Sequence, residues 1–235
     1  MDKSQRRAWP WLGTGPLWKP RSARVAVDDA AEPGGDPGEQ GVASAAWESL
    51  RREVSGCELC SLCATRTQTV FGVGSEHARC LIIGEAPGAE EDRRGEPFVG
   101  RAGELLDLML AAIGHDRQRD VFIANVLKCR PPDNRDPSAE EVARCQPFLA
   151  RQVELIAPAV IVALGRFAAQ SLLSTGASIA SLRGRAQSYR IGEREIPVVV
   201  TYHPAYLLRT PLDKAKAWRD LCLVAEILHA PPAGQ

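Results

Sequence analysis

Four short apolar runs constrain this chain more than any other feature: Cys80 to Ile83, Val121 to Leu127, Pro158 to Gly165 and Val198 to Thr201. Each stops at a glycine, a proline or a polar residue. Runs of that length between turn signals read as buried strands. A helix to about Leu173 follows the third run, and Asp213 to Leu228 forms a closing helix. Strands alternating with helices predict a layered α/β fold with a mostly parallel sheet. In such sheets ligands bind where strands end, so chemistry is expected just after the runs.

The first end reads Gly84-Glu85-Ala86-Pro87-Gly88, then the acids Glu90, Glu91 and Asp92, then Phe98 flanked by Pro97 and Gly100. Carboxylates and one aromatic at a strand end have the make-up of an active-site floor. The plainer alternative is a strand-to-helix turn with solvated acids. Asn125 stands near the end of the second run. An amide there either satisfies neighbouring backbone or reads the edge of a base. His203 follows the fourth run. One such histidine is more often structural than catalytic. Polar groups at three ends of one sheet share an edge, however, and that favours a common site.

The chain has seven cysteines and no apolar leader that marks export, so metal or cluster ligation is expected rather than disulfides. Cys57 and Cys60 form a C-x-x-C turn that presents two thiolates to one metal. Of the downstream cysteines, Cys80 and Cys222 lie in apolar patterns and read as core, which leaves Cys129 and Cys145. Their spacing is not that of a zinc ribbon, and iron–sulfur and zinc both remain open on spacing alone. Cys63 is an additional thiol in the first run.

Residues 1–43 are expected to be a disordered tail and linker, because Ala31 to Gly41 is Pro-, Gly- and charge-rich. Trp9, Trp11 and Trp18 stand in it beside basic residues. They read as a tail without specific chemistry, with a DNA-contacting arm as the alternative. Ser44 to Val54 carries a helical apolar stripe that opens a domain expected over residues 44–230. Ser138 and Glu141 form a capping box, and the turn chemistry of Gly192-Glu193 suggests a small hairpin or successive strands. Formal net charge is +0, which argues against bulk charge as the means of binding DNA but not against local basic patches. No apolar run approaches the ~18 residues of a membrane span, and a cytoplasmic protein is expected.

Several ordered motifs together resemble the family-4, iron–sulfur uracil-DNA glycosylases. They are G-E-A-P-G-A-E-E-D (84–92), G-E-P-F-V-G-R-A-G (95–103), N-V-L-K-C-R-P-P-D-N-R (125–135) and H-P-A-Y-L-L-R (203–209). The resemblance runs from Cys57 to the last helix and leaves the tail outside. It implies a three-layer α/β/α sandwich, and a 4Fe-4S cluster on Cys57, Cys60, Cys129 and Cys145. The implied partner is uracil-containing DNA, single- or double-stranded, with the protein acting as a monomer on nucleoid DNA. Phe98 would stack on an extruded uracil, and Asn125 would read its pairing edge. The backbone of Glu85, Ala86 and Pro87 would line the pocket, and His203 would face uracil O2.

Related families place an aspartate where this chain has Ala86, so their acid does not transfer. Glu85 and Glu91 are the candidate acids, with Glu91 preferred, and Asn134 is a weaker candidate for orienting water. Leu207 or Leu208 would wedge into the duplex. Arg130, Arg183, Arg185, Arg209, Lys214 and Lys216 are candidate phosphate contacts. Two alternatives stand beside this reading. One is a branch that crosslinks to DNA through a histidine in an inserted loop; Arg130 to Ser138 holds no histidine. The other is a non-catalytic iron–sulfur or zinc DNA-binding module.

Overall fold

The structure, a computed structural model, describes residues 37–230, with side chains from residue 44. Trp9, Trp11 and Trp18, and the rest of the expected tail through residue 36, lie outside the described residues. The first helix, α1, spans Pro37–Ser55 and so begins before the expected Ser44. The linker reading therefore fails for residues 37–43. A proline suits the first helical position, where its missing N–H has no intrahelical partner to lose and its fixed φ is already helical.

Then follow β1 (Val73–Gly74), β2 (Cys80–Gly84), α2 (Ala89–Arg94), α3 (Arg101–Ala112) and β3 (Val121–Asn125). Next come α4 (Ala139–Ile156), β4 (Val160–Leu164), α5 (Gly165–Leu173) and α6 (Ile179–Leu182). The chain closes with β5 (Ala186–Ile191), β6 (Arg194–Thr201), α7 (Pro204–Arg209) and α8 (Lys214–His229). The sheet order is β1-β3-β2-β4-β6-β5. The inner pairs β3–β2, β2–β4 and β4–β6 are parallel, and both edge strands are antiparallel. β5 and β6 form a hairpin, whose Gly192 takes φ 56°, as a two-residue turn requires at its first position.

Strand pleating sorts the core into two faces. Leu81, Ile83, Phe122, Ala124, Ile161 and Ala163 pack against α1, α4 and α5 through residues such as Trp47, Val153 and Ala168. The alternate residues Ile82, Ile123, Val162 and Val199 pack against α3 and α8 through Leu106, Leu110 and Val224. Both faces are covered, which is why the parallel strands are apolar throughout instead of alternating. The expected three-layer α/β/α sandwich is the fold observed. Ser138 and Glu141 form the expected capping box at the start of α4.

Candidate active site

Parallel register brings the strand ends to one edge. Gly84 of β2 lies opposite Asn125 of β3, and Leu164 of β4 opposite Thr201 of β6. Glu85, Asn125, Arg166 and His203 therefore all stand at or just past that edge. The backbone continues the lock beyond the strands, because Val126 N and Leu127 N donate to Gly84 O and Glu85 O at 3.0 Å each.

Asn125 is 2% exposed, and its Oδ1 has no hydrogen-bond partner in the protein. Leaving a buried acceptor unpaired costs about 1–3 kcal/mol, so an oxygen kept in this state is suited to an N–H from a ligand. Gly84 allows the crowding around it. A Cβ there would lie 2.4 Å from Asn125 Oδ1 and 2.7 Å from the Phe98 ring. Phe98 takes φ 54°, left-handed geometry that costs a non-glycine residue roughly 1–2 kcal/mol. The Phe98–Val99 peptide is gripped at both ends. Arg117 Nη2 donates to Phe98 O at 2.8 Å, and Val99 N donates to Glu91 Oε1 at 3.1 Å. Gly103 closes the loop from beneath, since a Cβ there would meet Phe98 O at 1.7 Å.

The acidic trio is thus divided among three tasks. Glu90 pairs with Arg93 and Arg94 at the surface. Asp92 is buried and accepts Thr67 N at 2.9 and 3.1 Å. Glu91 also accepts Gly100 N at 3.4 Å, and so braces the Phe98 loop through its backbone.

His203 stacks on Phe98 with ring centroids 5.4 Å apart and an interplanar angle of 29°. Its Nδ1 accepts Ala205 N at 3.1 Å. Burial, and then the Arg209 charge, push its pKa down to about 4. The ring is therefore neutral near pH 7. With Nδ1 serving as acceptor, the proton resides on Nε2, which is left as a donor. Gly165, at φ 91°, makes room by placing its would-be Cβ 3.1 Å from His203 Cβ.

Glu85 is half-buried. Burial raises its pKa, Asp136 raises it further, and Arg166 opposes both. Arg166 and Asp136 pair at 3.2 Å, which ties the start of α5 to the loop after β3. Pro87 is buried, and Ala86 packs against a small cluster containing Cys129 and Cys145. Asn134 Oδ1 accepts Arg130 Nε at 2.9 Å, so this amide braces its own loop.

Cys57, Cys60, Cys129 and Cys145 line one small cavity with Leu62, Leu127 and Lys128, and Cys63 is not among its lining residues. Among the described residues, no group of three His, Cys, Asp or Glu side chains converges on a single-ion position. A guanidinium and a backbone amide donate to two of the sulfurs. Arg66 Nη1 donates to Cys129 Sγ at 3.2 Å, and Lys128 N donates to Cys145 Sγ at 3.2 Å. Lys128 is buried, and its ammonium donates to Asn125 O at 2.8 Å and Gln152 Oε1 at 2.6 Å. Burial raises the pKa of the Cys129 and Cys145 thiols, so ligation must supply the charge that deprotonates them. Cys80 is core, as expected.

Some surface expectations are corrected. Leu207 is 0% exposed and packs with Met109 and Leu221, so it is no wedge, whereas Leu208 is 37% exposed. Arg183 turns inward onto the buried Asp220 at 2.7 Å, and Lys214 is itself buried. Lys216 pairs with Asp213 at 2.8 Å. Arg185 and Arg209 remain exposed. Arg117, Lys128 and Arg166 were not anticipated. The signal for Lys128 was its place between Asn125 and Cys129 in one motif; Arg117 had none, because its partners come from other segments.

An aromatic ring, an unpaired buried amide oxygen and a neutral histidine donor thus stand together at the end of a parallel sheet in an α/β sandwich. Residues 71–222 match the model of the uracil DNA glycosylase superfamily, and the chain belongs to that family. It is 45% identical over 184 residues to the type-4 uracil-DNA glycosylase of Archaeoglobus fulgidus, covering 77% of this chain and 92% of that one. The Thermotoga maritima type-4 enzyme is 46% identical over 163 residues, covering 69% and 83%. A type-5 enzyme from Pyrobaculum aerophilum is 34% identical over 175 residues, covering 68% and 74%. Within the superfamily the chain stands with the type-4 members.

Proposed function

We propose that this protein extrudes uracil from DNA and hydrolyses its N-glycosidic bond, leaving an abasic site for base excision repair. The observation that carries the proposal is the unpaired, buried Oδ1 of Asn125 above Phe98. Uracil N3–H donates to that oxygen, while the Asn125 amide N–H donates to uracil O4. Cytosine has no N3–H and offers a donor at C4, so both bonds fail. Sites built this way reject the wrong base by up to ~10⁴-fold.

As the base leaves, its O2 gains negative charge and the sugar gains positive charge. The neutral His203 donates from Nε2 to O2, an interaction worth about 3 kcal/mol in the transition state. Of the candidate acids, Glu85 faces the sugar cation and holds the attacking water. Burial raises its pKa, which suits a general base. Glu91 serves instead by bracing the Phe98 loop.

The all-thiol donor set around one cavity, with Arg66 and Lys128 beside the sulfurs, fits a 4Fe-4S cluster on Cys57, Cys60, Cys129 and Cys145. When bound, the cluster supplies a structural tie between the segment before β1 and the loop and helix after β3. The chain acts as a monomer on single- or double-stranded DNA. Leu208 fills the gap left by the base, and Arg185 and Arg209 contact phosphates, so binding weakens with salt.

The test is an oligonucleotide with one deoxyuridine, divided after incubation and resolved with and without hot alkali. Strand cleavage only after alkali is the expected result. A denaturant-resistant protein–DNA band would move the protein to the crosslinking branch. An intact oligonucleotide that still binds would leave only a binding module.

A further inference from the structure

We infer that Arg117 is a positioning residue for the base, acting through the Phe98–Val99 peptide to hold the aromatic floor of the pocket. The inference rests on the uracil-excision reading for its kinetic arm only. Arg117 belongs to the loop between α3 and β3. Its side chain is 11% exposed, and four of its five N–H donors are used. Nη2 donates to Phe98 O at 2.8 Å, and Nη1 to Pro97 O and Glu96 Oε1 at 3.2 Å each. Nε donates to Asp107 Oδ1 at 2.7 Å.

Two successive carbonyls meet one guanidinium because Phe98 is in the left-handed region. That conformation aims the ring at Gly84 and His203. With φ 54° unfavourable for a phenylalanine, the loop left to itself relaxes, and the ring leaves the position in which a base stacks on it. Glu91 fixes the amide side of the same peptide, and Arg117 fixes the carbonyl side. A lysine keeps the charge beside Glu96 and Asp107 but lacks the planar fork that spans four acceptors. R117K is therefore the informative change, with R117Q as a second variant.

A guanidinium that merely stapled α3 to the loop would affect stability and nothing else. The readout that separates the roles is the imidazole of His203, which the stacked Phe98 ring shields magnetically. The chain has four histidines, and H203Q identifies the relevant resonances. In R117K these resonances move toward their positions in F98A. In the same variant kcat for uracil release falls by about 10²-fold with KM changed little, as for a misplacement near 1 Å. In an F98A background, R117K changes the rate by less than about threefold, since the group through which it acts is gone.

His203 resonances that stay at wild-type positions in R117K and R117Q while the melting temperature falls would overturn the inference. Losses from R117K and F98A that multiply would overturn it as well. A wild-type protein that releases no uracil but shows the His203 shift in R117K would sink the function and leave the placement of Phe98 by Arg117 standing.

Discussion

Gly84→Ala tests the pocket at its tightest point. The added Cβ would lie 2.7 Å from the Phe98 ring and 2.4 Å from Asn125 Oδ1. Unstrained carbon atoms sit about 3.5 Å apart, so the ring is short of room by about 0.8 Å. Neither neighbour yields easily. Asn125 lies in a strand paired on both sides, and the Phe98 peptide is held by Arg117 and Glu91. Overpacking of this kind costs about 1–3 kcal/mol of stability. Moving a binding group by nearly 1 Å costs ~10²-fold in rate, or about 2.7 kcal/mol at 1.36 kcal/mol per decade. Single-turnover release of uracil is the assay, with thermal unfolding alongside. Gly176→Ala is the control, since nothing lies within 4 Å of its would-be Cβ. A G84A protein within about threefold of wild type would refute the reasoning, because the site would then tolerate a displaced floor or amide.

Other consequences are open to measurement. H203A loses about 10²-fold in kcat, as expected for removing one donor to a developing anion. Because the folded His203 pKa is depressed to about 4, the neutral donor persists below pH 6. The unfolded chain takes up that proton first, near 6.5, so His203 costs stability as pH falls from there toward 4, and acid titration of H203Q lacks this loss. N125A abolishes uracil release on the order of 10³-fold yet loses little stability, since the oxygen removed had no partner; calorimetry checks the second half. On the proposed cluster assignment, C145S lacks the brown chromophore of a 4Fe-4S protein and C63S keeps it, a ranking that visible absorption reads directly.

The four parallel strands were legible because each carries a short apolar run, and parallel topology put their polar ends together, whereas β1 is two residues long and carries no such signal. The start of α1 was not, because Gly38, Glu39, Gln40 and Gly41 carry no apolar stripe. Glu91 could be named from its motif, but its work is done on amides eight and nine residues away, and no spacing rule reports that. Arg183 and Lys214 looked like phosphate contacts because they are basic. Their inward orientation depends on the buried Asp220 and on how the start of α8 packs. Leu207 and Leu208 are adjacent on a six-residue helix, too short for periodicity to say which one faces the core. Arg117 reaches across ten to 21 residues to carbonyls and carboxylates of other elements, a relation visible only once the chain is folded.

The grip on the Phe98–Val99 peptide has a consequence for the substrate. A floor fixed at both ends and an amide fixed in a doubly paired strand cannot come out to meet a stacked base. The work of opening then falls on the DNA, and damage is found by the looseness of its pairing. Uracil in a single strand needs least opening, uracil mispaired with guanine more, and uracil paired with adenine most. The order in which lesions are cleared follows the softness of the helix around them.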